Sequence, residues 1–159
     1  MQKAKNIVII SPFFFPEPIS TGKFNTDVAL KLQEEGHQVT VLCSHPFYPD
    51  WKTRYSSEKL EGITIIRGGN KIKYPNKISL RRIVLEIWYA LFILKNIKKH
   101  QNKIDVIIPV FPPSLAFYTA SFFIKKEIKK IGIIHDLQII YSSQKKGFLN
   151  KMITFFIKR

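Results

Sequence analysis

The 159-residue sequence has one cysteine, Cys43, so no disulfide can form within the chain. Cys43 sits in an apolar run that reads as a strand, which predicts a small, buried, inert thiol suited to a reducing cytoplasm. Acids are scarce: 11 Asp and Glu stand against 26 Lys and Arg, and none follows Asp136. The phosphate-cradling loops G-x-x-x-x-G-K-[ST] and G-x-G-x-x-G are missing. No Cys/His cluster has metal-ligand spacing and no nucleophile elbow occurs, so no metal and no cofactor is expected. The longest apolar stretch, Ile83 to Leu94, is interrupted by Glu86 and falls short of the roughly 20 residues of a membrane-spanning helix. Met1 to Lys5 is polar and the run Ile7 to Ile10 is too short for the core of a signal peptide. Repeats and low-complexity tracts are absent as well.

What is present describes one globular domain over residues 1–159. Apolar residues make up 45% of the chain, enough for a core. The formal net charge of +15 points to an anionic partner: nucleic acid, an acidic membrane surface or a phosphorylated substrate. Between Lys71 and Lys103 the sole acid is Glu86, among many lysines and arginines. An A/T-rich coding composition, which inflates Lys, Ile, Asn and Phe, is the alternative source of that charge.

β-Branched runs alternate with helical patterns. Ile7–Ile10, Val39–Leu42, Ile63–Ile66, Val106–Ile108 and Ile131–Ile134 read as strands buried on both faces, the last weakened by Gly132. Phe24, Val28, Ala29 and Leu32 form one apolar stripe of a helix that Gly36 stops. Leu80 to Lys99 reads as a long helix, and Ser114 to Lys126 as another with Ser114 as its N-cap. The order β-α-β, long loop, β-α-β-α-β predicts a doubly wound parallel α/β domain. Ligands of such sheets bind beyond the carboxyl ends of the strands, in the loops that start near Ser11, Ser44, Gly68, Val110 and His135.

Three of those loops carry candidate chemistry. Thr21, Gly22 and Lys23 fall at a helix N-terminus, where free N–H groups, the helix dipole and a cation suit an anion; a plain cap with a turn glycine is the alternative. Ser44 to Lys52 is stiffened by Pro46 and Pro49, and Tyr48 and Trp51 can stack on a sugar face or simply cover the core's edge. His135-Asp136 closes the fifth strand, where an imidazole can donate a proton or bond a hydroxyl; a lone histidine can equally be structural. His37 reads as a turn residue and His100 as a solvated one. Glu17, Asp50, Asp105 and Asp136 lie near strand or loop ends without forming an evident catalytic pair.

Together these segments resemble a known family. Pro16-Glu17-Pro18, Thr21-Gly22-Lys23-Phe24, Gly36-His37-Gln38-Val39-Thr40-Val41 and Pro46-Phe47-Tyr48-Pro49-Asp50-Trp51 are similar to the opening of family-4 retaining glycosyltransferases. Glu61-Gly62-Ile63, Asp105-Val106-Ile107, Phe111-Pro112-Pro113 and His135-Asp136-Leu137 follow in the order of the branch that builds colanic acid and O-antigen. The resemblance implies the Rossmann-like N-terminal, acceptor-side half of a GT-B architecture, with the donor-binding C-terminal domain missing and the isolated chain inactive. It implies a nucleotide-sugar donor and a lipid-linked glycan acceptor in bacterial surface-polysaccharide synthesis. It places Gly22 near the donor diphosphate and His135 or Asp136 near the reacting sugar. The segment after Asp136, Leu-Gln-Ile-Ile-Tyr-Ser-Ser, departs from relatives, which tend to carry an acid a few positions on.

The basic helix adds an expectation of its own. Arg81, Arg82, Lys95, Lys98 and Lys99 at its ends, with Ile83, Leu85, Ile87, Trp88, Leu91 and Phe92 between and Trp88 and Tyr89 as interface residues, suit docking on the anionic cytoplasmic face of the inner membrane. A non-catalytic remnant or a membrane-docking subunit is the alternative. Nucleic acid is not expected as a partner, since no recognised reading motif accompanies the charge.

Overall fold

The computed structural model describes residues 3–135. β1 (Asn6–Ile10) leads through loop 11–19 into α1 (Ser20–Glu34), then β2 (Gln38–Ser44), a long connection, and β3 (Ile63–Gly68). α2 (Ile78–His100) and a 3-10 turn (Gln101–Lys103) precede β4 (Val106–Phe111), α3 (Ser114–Phe122), β5 (Lys129–Lys130) and β6 (Ile133–Ile134). All strands are parallel, in the order β3-β2-β1-β4-β5, with β6 also on β4. This is the predicted Rossmann-like α/β fold.

Side-chain alternation along each strand divides the core in two. Ile7, Ile9, Val39, Val41 and Cys43 face Ala29 of α1. Val8, Ile10, Leu42 and Ile107 face Leu85, Tyr89, Ile93 and Ile97 of α2 and Ala116 and Ala120 of α3. Cys43 is fully buried, and burial pushes its thiol up to about 12, so it stays protonated. Gly36, at φ +85°, ends α1 with paired bonds from its N–H to Gln33 and from His37 N–H to Leu32, the Schellman arrangement.

Four local expectations need correction. The buried line of α1 is Gly22, Asn25, Thr26 and Ala29; Phe24 is 49% exposed, so the helix is turned relative to the stripe read from its large residues. The fifth strand is two short pieces in one register on β4. Ile107 and Phe111 carbonyls accept from Ile131 and His135, so the N–H that Pro109 lacks is the one that would have bonded the segment between. α3 stops at Phe122 rather than Lys126, and Ser114 is not its N-cap: Pro113 holds that position without a side-chain cap bond. Instead the carboxylate of Glu86, on α2, accepts from the N–H groups of Ser114 (2.8 Å) and Leu115 (2.6 Å). An acid at a helix N-terminus satisfies orphan donors and the dipole together. Finally, Tyr89 is no interface residue: it is wholly buried, its hydroxyl donating to the Leu42 carbonyl at 2.7 Å.

Candidate functional site

The loop after β1 and the loop after β2 are fastened to each other by a buried acid. Glu17 is 5% exposed and its carboxylate accepts from the N–H of Phe47 (3.0 Å) and of Tyr48. Burial raises its pKa, while those two N–H groups and the charges of Arg54 and Arg67 pull the other way. Arg67 ties the same region together, donating to the Phe15 carbonyl at 2.7 Å and approaching Cys43 Sγ at 3.4 Å. Phe47 is buried among Phe13, Trp51 and Tyr74, with ring centroids 5.0–5.3 Å away. Trp51, half-buried at φ +59°, lies beneath the Arg81 guanidinium, 4.5 Å from its ring centroid. Trp51 thus covers the edge of the core. Arg81 is engaged there too, its Nε buried without a hydrogen-bond partner among the described residues. Tyr48 is half-buried, its carbonyl accepting from Arg54.

At the N-terminus of α1 no side chain caps the helix. Thr21 is half-buried and Lys23 exposed. Gly22 is buried, and a Cβ there would stand 3.0 Å from the Glu17 carbonyl oxygen. The close approach that glycine permits is made by the protein's own loop. Thr26 completes the stitch, donating to the Gly22 carbonyl and accepting from Phe15 N–H.

The third group gathers around His135, just past β6. Its Nε2 lies 3.2 Å from Asn25 Oδ1. Asn25 is 1% exposed, and its Nδ2 donates to Ser11 Oγ (2.8 Å) and the Phe13 carbonyl (3.1 Å). Phe24, beside Asn25 on α1, sets its ring edge-on to the imidazole at 5.0 Å. Burial lowers the His135 pKa, so the ring is neutral at pH 7. The result is a half-buried imidazole and an exposed aromatic face at the carboxyl edge of the sheet, where parallel α/β folds bind ligands.

The structure therefore joins His135 to Ser11, Phe24 and Asn25, none of which stood among the sequence candidates. Asn25 had a legible signal: it lies four residues before Ala29, on the inner face of α1, where an amide must find partners. Asp136 lies outside the described residues. Of the other loop acids, Asp50 pairs with Arg54 at 2.6 Å, and Asp105 accepts from Asn6 N–H at the opposite end of the sheet. Among the described residues no His, Cys, Asp and Glu cluster could hold a metal ion. A cavity of about 580 Å³ is also at the far end of the strands, lined by Asn6, His37, Gln38, Gly62 and Lys103 among others. It shares no residue with the loops at the carboxyl ends.

Arg82, Lys95, Lys98 and Lys99 are exposed on α2. So are Leu80, Ile83, Ile87 and Leu91, one outward line at helical spacing. Trp88 and Phe92 instead pack inward, over Gly69 and Gly68, and Trp88 donates to the Tyr74 hydroxyl at 3.0 Å. No described helix is long and apolar enough to cross a membrane.

No protein-family model matches the chain. No curated protein matches its sequence either. Among solved structures, it is similar to the C-terminal domain of a hydrogenase from Pyrococcus furiosus. The TM-score is 0.55 at 18% identity, over 84% of this chain and 94% of that one. A likeness at that identity concerns the fold alone.

Proposed function

We propose that this chain is the acceptor-side domain of a retaining glycosyltransferase of the surface-polysaccharide type. It works with a donor-binding domain to move a sugar from a nucleotide-sugar donor to a lipid-linked glycan. The observation that carries the reading is His135: a neutral imidazole, anchored through Asn25 and flanked by exposed Phe24, at the carboxyl edge of a parallel sheet. The ordered motifs from Pro16 to Leu137 that resemble family-4 enzymes supply the substrate class. In this reading His135 bonds a hydroxyl at the reacting end, and the uncapped N-terminus of α1 with Thr21 and Lys23 faces the diphosphate, Gly22 being buried against the Glu17 loop. The test is release of nucleotide from UDP- and GDP-sugars with a lipid-phosphate-linked acceptor. The described domain by itself should give none. Joined to a donor-binding domain it should turn over, and His135→Ala should lower the rate by roughly 10²-fold or more. Equal rates for the two forms, or robust turnover by the domain alone, overturn the reading.

The acceptor's lipid anchor calls for a membrane-facing surface, and α2 supports one on the cytoplasmic side of the inner membrane. Leu80, Ile83, Ile87 and Leu91 offer a shallow apolar line, with Arg82 near one end and Lys95, Lys98 and Lys99 near the other. Each cation near an anionic leaflet contributes about 1 kcal/mol. Replacing Lys95, Lys98 and Lys99 with Gln should abolish co-sedimentation with phosphatidylglycerol vesicles. Binding indifferent to lipid charge and salt would exclude this docking.

A further inference from the structure

We propose that Asn25 is the positioning residue of the site: it holds the proton of His135 on Nε2 and so leaves Nδ1 as the bare acceptor for a substrate hydroxyl. The inference deepens the role given to His135 above and rests on it only for the identity of that hydroxyl.

The assignment follows from what each group can donate. Asn25 is buried and its amide has two unlike ends. One end lies 3.1 Å from the Phe13 carbonyl, which can only accept. That end is therefore the NH2. The same NH2 also reaches Ser11 Oγ at 2.8 Å. Oδ1 then faces the imidazole, and an amide oxygen can only accept. The proton between them belongs to His135 Nε2. Turning the amide over would set oxygen against oxygen at Phe13, with both groups away from water.

Ser11 secures the inner end. Its hydroxyl accepts from Asn25 and from Phe13 N–H and donates to the Phe13 carbonyl, so it holds the loop in one conformation. Every polar atom from Ser11 to Nε2 has a partner. Nδ1 has none among the described residues. Burial lowers the His135 pKa, and no charged side chain among the described residues contributes to that shift. Phe24, edge-on to the ring, restrains its plane. A hydroxyl approaching Nδ1 thus meets a fixed lone pair. If that ring takes up a proton, Nδ1 gains an N–H while the Nε2–H bond to Asn25 stays in place. The acceptor role therefore needs no rearrangement of the inner network.

The test reads the imidazole itself. In ¹⁵N-labelled protein at neutral pH, with His135→Gln identifying the resonances, His135 should show Nε2 protonated and an Nε2–H signal protected from solvent exchange. Asn25→Leu should remove that protection, and Asn25→Asp, which keeps an acceptor, should retain it. A ring protonated on Nδ1 in the wild type, or a protected Nε2–H that survives Asn25→Leu, overturns the proposal. The wild-type spectrum decides the tautomer even if a variant fails to fold. The outcome is separable from the sugar-transfer reading. If the spectra are as expected and His135→Ala leaves transfer unchanged, Asn25 keeps its assignment and the catalytic role of the ring falls.

Discussion

Two polar networks meet the loops at the carboxyl end of the sheet, and they end differently. The Glu17 network closes on itself: its carboxylate is taken up by Phe47 and Tyr48 N–H groups, and Arg67 spends its donors on carbonyls and Cys43. The Asn25 network begins as deeply, at Ser11, but runs outward to an imidazole with a nitrogen left over. A closed network fixes loop shape and has nothing to offer a ligand. An open one has both a rigid root and a free end, which is what a binding group requires. Burial alone would not separate them, since Glu17 and Asn25 are both almost completely buried.

The largest effect should come from opening the closed network. Glu17→Ala strands one buried and one part-buried N–H group and leaves Arg67 without its nearby acid, a loss of roughly 3 kcal/mol. Urea midpoints should register it. The His135 ring should meanwhile keep its Nε2–H signature, because the two networks share no hydrogen bond. A lost His135 signature in a still-folded Glu17→Ala protein would mean that the two are one network.

Much of this architecture is legible in the chain, for stated reasons. Strands buried on both faces need β-branched runs, and Ile7–Ile10, Val39–Leu42 and Val106–Ile108 are such runs. Gly36 announces the end of α1 because few other residues accept its backbone angle. What stays hidden depends on partners far away in sequence. Glu86 reads as a flaw in an apolar helix until α3 is seen to start against it. The break in the last strand originates in Pro109, on the neighbouring strand. At the site, His135 is legible from its place at a strand end. Asn25 is obscured by Phe24, whose size suggests the inward position that the smaller amide occupies.

A milder change sharpens the contrast through pH. Glu17 and Glu86 both have pKa values raised above 4.5 by burial. A carboxyl that binds its proton more tightly folded than unfolded makes stability fall as pH rises between its unfolded and folded values. His45 and His135 lie below 6.5 when folded, so they act with the opposite sign: stability rises with pH up to the unfolded value. Glu17→Gln keeps an oxygen acceptor and should stay within about 1 kcal/mol of wild type at pH 7. It should also flatten the decline in stability just above pH 4.5, leaving only the part due to Glu86. An unchanged pH profile in Glu17→Gln would show that Arg67 and the N–H groups already offset the burial of the charge.

The smallest effect on stability is expected where the effect on function is greatest. The His135 side chain is half-buried and, among the described residues, makes one hydrogen bond, to Asn25, and one edge-on ring contact, to Phe24. Glutamine at this position can still donate its amide N–H to Asn25 Oδ1, so the inner network from Ser11 outward survives. What it loses is the ring nitrogen that can take up a proton, together with the contact to Phe24. His135→Gln should therefore shift the unfolding free energy by only about 0.5 kcal/mol, the range of substitutions that break no buried contact. In the proposed two-domain transferase the same change should remove most of the transfer rate. Thermal midpoints and initial rates measured on the same preparations compare the two quantities directly. A large drop in stability with a rate that merely follows the folded fraction would place His135 with Glu17, as another closed support of the loops. A rate loss at unchanged stability separates the two networks by function, as their hydrogen bonds already separate them by geometry.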